Sequence, residues 1–77
     1  MAKIFDARGM KCPLPVLKAR RLLREMEPGE VLEIQATDPG APADFTHFAE
    51  TTGNRLLETR EEDGLFIIRL EVAARPE

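Results

Sequence analysis

Tryptophan and tyrosine are absent from this 77-residue chain, which has one cysteine and one histidine. A single cysteine excludes an intrachain disulfide, and with one histidine it cannot supply the ligands of a structural zinc site. No Cys-x-x-Cys pair exists, which argues against a thioredoxin-like redox enzyme. No apolar run approaches the roughly 18 residues of a membrane-spanning helix. Met1-Ala2-Lys3-Ile4-Phe5-Asp6 lacks the long apolar stretch of a secretory signal. A cytoplasmic location is therefore expected, and a reducing compartment suits an unpaired thiol. At this length a single domain spanning residues 1–77 is expected. A domain of this size buries only about 60% of its unfolded surface, so the core must hold without cross-links.

Charge is present in quantity but unevenly spread. The net charge is −3 and the pI about 5.2. Residues 1–24 nevertheless carry seven Lys or Arg against one Asp, and the remainder four basic against thirteen acidic residues. The positive segment contains the lone cysteine, in Gly9-Met10-Lys11-Cys12-Pro13-Leu14-Pro15. Two closely spaced prolines mark the first turn of a helix, where a missing N–H costs little. Pro13 is expected at the first helical position and Cys12 at or near the N-cap. A thiol there sees the positive end of the helix dipole and unpaired N–H groups, which favour thiolate. The competing reading is a small buried hydrophobe, the usual fate of a free cysteine.

The apolar pattern changes period in an orderly way. Lys3 to Ala7 reads as a strand ending in the Arg8-Gly9 turn. From Pro13 to about Met26, Val16, Ala19, Leu22, Leu23 and Met26 recur at helical spacing, with Lys18, Arg20, Arg21, Arg24 and Leu17 opposite. Pro28-Gly29 stops that helix. Val31 to Thr37 alternates as a strand with Leu32, Ile34 and Ala36 on its buried side. After Asp38-Pro39-Gly40, a second helix from about Pro42 to Thr52 gathers Phe45, Phe48, Ala49 and Thr52, with Gly53 as C-terminal cap. Leu56–Glu61 and Leu65–Val72 are strands joined at Asp63-Gly64, the inward face of the last being Phe66, Ile68, Leu70 and Val72. The order β-α-β-α-β-β predicts an α+β, two-layer sandwich. Two helices should cover one face of a four-stranded mixed sheet, with the first two strands parallel and the closing hairpin antiparallel. Cys12 would then lie in a surface strand-to-helix loop.

Asp6-Ala7-Arg8-Gly9-Met10-Lys11-Cys12-Pro13-Leu14-Pro15 resembles the Asp-x-Arg-Gly-x-x-Cys-Pro-x-Pro signature of the TusA/SirA-like sulfur-carrier family. The likeness continues through Pro28-Gly29-Glu30, Asp38-Pro39, Asp44-Phe45 and Gly53 to Glu58. It implies a carrier, whether a persulfide sulfurtransferase or a stoichiometric one, that holds sulfur as a persulfide on Cys12. Sulfur would arrive from a cysteine desulfurase or rhodanese-like protein and leave to a downstream relay protein. The family's destinations include tRNA thiolation, molybdenum-cofactor enzymes and sulfur oxidation, and membership does not choose among them. The resemblance also matches Arg20 and Arg24 to basic positions that donor proteins contact. Such exchange needs one accessible, low-pKa sulfur, and no second cysteine that would discharge the persulfide as a disulfide.

Lys11, Lys18, Arg20, Arg21 and Arg24 are accordingly the candidate partner-binding residues, against the simpler account of a solvated helix face. Arg8 and Lys11, with the helix dipole, are the candidates for stabilising the sulfur anion. His47 is expected on the solvated side of the second helix, and Asp38 and Asp44 at a turn and a helix start. No cofactor, metal or membrane contact is expected, and the chain is expected to act as a monomer. An RNA-binding module is disfavoured by the acidic pI and the absence of tryptophan and tyrosine to stack on bases. A redox-regulatory module, with Cys12 oxidised rather than persulfidated, is the other alternative.

Overall fold

The computed structural model describes residues 2–11 and 13–73. Six elements follow in order: β1 (Ala2–Ala7), α1 (Leu14–Arg24), β2 (Val31–Ala36), α2 (Ala41–Thr52), β3 (Arg55–Glu62) and β4 (Leu65–Glu71). The sheet order is β1-β2-β4-β3, with β1 parallel to β2 and the other neighbours antiparallel. The two-layer architecture read from the periodicity is thus the one observed.

Alternation on the strands puts one face into the core. Phe5 and Ala7 of β1, Leu32, Ile34 and Ala36 of β2, and Ile68 and Leu70 of β4 are buried. The helices close over them with Ala19 and Leu23 from α1, and Ala41, Phe45, Phe48 and Ala49 from α2. Phe45 and Phe48 meet edge to face, their ring centroids 6.3 Å apart. That geometry contributes about 0.5–1.5 kcal/mol beyond the area it buries.

Turn chemistry matches the residues. Asp63 and Gly64 both take positive φ, 52° and 83°, as a two-residue hairpin turn of this twist requires. Gly53 closes α2 in the left-handed conformation, its N–H donating to the Ala49 carbonyl.

The helix bounds differ from expectation. α1 starts at Leu14, with Pro13 as N-cap and Pro15 at the second helical position, and ends at Arg24 rather than near Met26. Its C-terminus tightens because Glu25 and Met26 donate to the carbonyls of Leu22 and Leu23, three residues back. Met26 is still buried, so the apolar periodicity outlasts the regular helix. Thr52 does not join the buried face of α2. It is exposed, and its hydroxyl donates to the Phe48 carbonyl while accepting from Asn54. Phe66 is only half-buried, because it pairs with Glu61 near the Asp63-Gly64 turn, at the tip of the hairpin.

Candidate functional site: the signature loop and the outer face of α1

The parallel pair β1–β2 ends at the partners Ala7 and Ala36. Beyond it the first chain turns sharply through Arg8 and Gly9. The Met10 N–H donates to the Ala7 carbonyl at 3.1 Å, and Gly9 takes φ +82°, the value that a turn of this kind demands at its third residue. Asp6 holds the turn from one side. Its carboxylate accepts from the Arg8 backbone N–H at 3.1 Å, from Arg8 Nε at 2.9 Å and from Arg8 Nη2 at 3.0 Å. These Arg8 contacts, the guanidinium hydrogen bond foremost, lower the Asp6 pKa to about 2. The Thr37 hydroxyl oxygen holds the turn from the other side, accepting the Gly9 N–H at 2.9 Å.

Cys12, the expected nucleophile, lies outside the described residues, and the N-cap, expected at or near it, is Pro13 instead. Its chain neighbours Lys11 and Pro13 are both exposed. The start of α1 offers fewer backbone donors than expected. Pro13 and Pro15 have no N–H, and the Leu14 N–H is taken by the Lys11 carbonyl at 2.9 Å. Any helix contribution to an anion here therefore rests on the dipole more than on a crown of free N–H groups. Of the two expected cations, Arg8 is ion-paired with Asp6, whereas Lys11, adjacent to Cys12 in sequence, forms no ion pair among the described residues.

The other candidate cations gather on one surface. Lys18, Arg20, Arg21 and Arg24 are exposed on α1, on the side away from Ala19 and Leu23. Among the described residues none of the four forms an ion pair, and neither does Lys11. Arg21 and Arg24 also lie in the last turn, where positive charge suits the dipole. Leu17 was expected among these cations. Leu14 was not, yet the two leucines are 53% and 48% exposed and one turn apart. A leucine following a proline-marked helix start, with no apolar partner at helical spacing on its own side except Leu17, was the available signal.

Among the described residues, two shallow grooves flank the loop. One, of about 440 Å³, is lined by Gly9, Met10, Lys11, Thr37, Asp38 and Pro39. The other, of about 310 Å³, lies between the helices and is lined by Pro13, Val16, Asp44, His47, Phe48 and Thr51. His47 is exposed, as expected, although it borders this second groove. Asp44 sits in the first turn of α2, and Asp38 accepts from the Gly40 N–H, so both serve the local backbone as read from the sequence. Among the described residues no His, Cys, Asp and Glu cluster could hold a metal ion, and no helix is long and apolar enough to cross a membrane.

Comparison with known proteins agrees with this layout. Residues 3–72 match the family model for sulfurtransferase TusA. The sulfur carrier protein TusA of Allochromatium vinosum is 52% identical over 62 residues, covering 80% of this chain and 82% of its own. The sulfur carrier protein TusA of Pseudomonas aeruginosa is 38% identical over 64 residues, covering 83% and 81% respectively. The crystal structure of a SirA-like protein from Desulfitobacterium hafniense superposes with a TM-score of 0.83 at 28% identity, over 96% of this chain and all of that one. The signature residues, the fold and these likenesses together establish that the chain belongs to the TusA family.

Proposed function

We propose that this protein is a sulfur carrier that holds sulfane sulfur on Cys12, with Lys11 and the outer face of α1 as its docking surface for donor and acceptor proteins. The observation that carries the reading is the signature loop itself. Its turn is pinned to two strands, and the exposed residues Lys11 and Pro13 bracket the single cysteine at the start of a helix.

The chemistry is two successive exchanges. The Cys12 thiolate attacks the terminal sulfur of a donor persulfide, the donor's S–S bond breaks, and the donor leaves as thiolate. An acceptor thiolate then attacks the outer sulfur of the Cys12 persulfide and regenerates the Cys12 thiolate. One sulfur atom moves at each step, with no net oxidant or reductant. The absence of a second cysteine in the chain keeps the loaded state from resolving internally. A cysteine desulfurase or rhodanese-like protein is the donor class of this reading, and a relay protein the acceptor. tRNA thiolation, molybdenum-cofactor enzymes and sulfur oxidation are its candidate destinations. The carrier acts as a cytoplasmic monomer in this account.

Mass spectrometry after incubation with a cysteine desulfurase and cysteine tests the proposal. The wild-type chain gains one sulfur atom, mapped to Cys12, whereas Cys12→Ser folds normally and gains none. Sulfur on the serine variant, or a wild-type chain that peroxide sulfenylates but no donor loads, overturns it.

A further inference from the structure

We infer that Thr37 is a positioning residue for sulfur relay, its hydroxyl fixing the Arg8-Gly9 turn relative to the sheet so that the cysteine loop meets a docked partner's thiol in one orientation. The inference rests on the assignment of Cys12 as the sulfur site.

Three consecutive amides of the turn have partners, and the partners differ in kind. The Arg8 N–H is accepted by Asp6 and the Met10 N–H by Ala7, both on the same stretch of chain. Those two bonds shape the turn and hold it to its own strand, β1, but do not tie it to β2. The Gly9 N–H is accepted by the Thr37 hydroxyl across 28 residues of sequence. It joins this turn to the chain leaving β2.

Nothing local explains the hydroxyl's direction. Threonine and serine at the start of a turn commonly bond a backbone group within the next few residues. Here the turn after β2 is served by other groups, Asp38 Oδ1 accepting from Gly40 and the Asp38 carbonyl from Ala41. Thr37 follows the last parallel pair, Ala7 with Ala36, and so sits where a side chain from β2 can reach the departing β1 chain. Gly9 at φ +82° turns its amide toward that side chain, and both residues line the same groove beside Lys11. Cys12 follows three residues after the latched amide. Protein-to-protein transfer needs reacting sulfurs aligned within a few tenths of an ångström, whereas a small donor diffuses to whatever orientation the thiol has.

Thr37→Val removes the acceptor and keeps the shape, and Thr37→Ser keeps the acceptor. Both are compared with wild type for Gly9 amide hydrogen exchange and for sulfur loading from two donors. One is a cysteine desulfurase, supplied with cysteine, that loads the wild-type chain; the other is glutathione persulfide. In Thr37→Val, Gly9 should exchange about fivefold faster and desulfurase loading fall about fivefold, the factor associated with one hydrogen bond. Glutathione persulfide loading should stay within about twofold of wild type, and Thr37→Ser should restore exchange and transfer. Wild-type exchange and loading in the valine variant, a serine variant as slow as the valine one, or equal loss with both donors overturns the inference. Cys12→Ser is run alongside. If it loads, the sulfur-site assignment fails; if it does not while Thr37→Val loads normally, only the role of Thr37 fails.

Discussion

Arginine serves two surfaces of this molecule in opposite ways. On the sheet face away from the helices, Arg69 reaches Glu33 at 2.9 Å and Glu58 at 3.9 Å, Arg60 reaches Glu58 and Glu62, and Arg55 reaches Glu71. The strand register sets these contacts, since Glu33, Arg69 and Glu58 stand in one cross-strand row and Gln35, Ile67 and Arg60 in the next. Ile67 is 5% exposed on that open face, shielded within the charged rows. On the outer face of α1 Lys18, Arg20, Arg21 and Arg24 form no ion pair among the described residues, and two leucines lie exposed beside them. The sheet face has its charges neutralised internally. The helix face keeps exposed cations that form no ion pair among the described residues, which suits electrostatic guidance of an acidic partner.

The most direct way to break this contrast is to reverse the helix charges. Arg20→Glu with Arg24→Glu should slow loading from an acidic donor protein by about tenfold or more, while reaction with glutathione persulfide stays near wild type. Raising salt should mimic part of the loss, because exposed charges are screened beyond about 8 Å at physiological ionic strength. Equal rates for the double variant and wild type would reduce the helix face to a solvated surface.

The complementary change on the sheet should alter stability and spare transfer. Arg69→Ala leaves Glu33, whose side chain is only 12% exposed, without its main cationic partner. A loss of about 1–2 kcal/mol in denaturant unfolding is expected, with loading rates unchanged. A transfer defect without destabilisation would instead make the sheet face a partner surface. Between these lies Leu14→Ser with Leu17→Ser, which should cost under about 0.5 kcal/mol of stability because both side chains are exposed. Loading from a protein donor should nonetheless fall a few-fold if the leucines form the apolar centre of a basic-rimmed contact.

Much of this division was legible in the sequence, because periodicity reports burial directly. The alternation Leu32, Ile34, Ala36 identified β2 and its inward face, and the recurrence of Ala19 and Leu23 fixed which side of α1 meets the sheet, hence which side carries the cations. The hairpin followed from Asp63-Gly64 because few residue pairs accept positive φ twice. What stayed hidden depends on approach in three dimensions. Asp6 and Arg8 are two residues apart, yet nothing in that spacing says that the carboxylate takes both the guanidinium and the backbone N–H. Thr37 read as the end of a strand, because its partner lies 28 residues away and becomes adjacent only once β1 and β2 pair in parallel. The cross-strand pair of Glu33 and Arg69 was equally invisible before the register was known, since the two are 36 residues apart.

The smallest expected effect concerns Arg8, the arginine of the signature segment, which is paired with Asp6. Asp6 has its pKa lowered from the model-compound value of 3.8 to about 2, chiefly by the hydrogen bond from the Arg8 side chain. A carboxylate with a depressed folded-state pKa contributes stability above its unfolded value. That contribution is lost as pH falls from about 4 through about 2, so nothing should change between pH 5 and pH 8. Asp6→Asn keeps an oxygen for the Arg8 backbone N–H but gives up the charge, and its unfolding midpoint should lie slightly below wild type at pH 6. The gap should close as the acid range is entered, because the wild-type carboxylate is then neutral too. The pair is exposed, so the difference is small. Freeing Arg8 should add a cation beside the signature loop and bring it closer in character to the helix face. Desulfurase loading of Asp6→Asn then rises or holds if charge near the cysteine is limiting. It falls if the turn needs the paired guanidinium to keep its shape, which Gly9 amide exchange in the same variant would reveal as a faster rate.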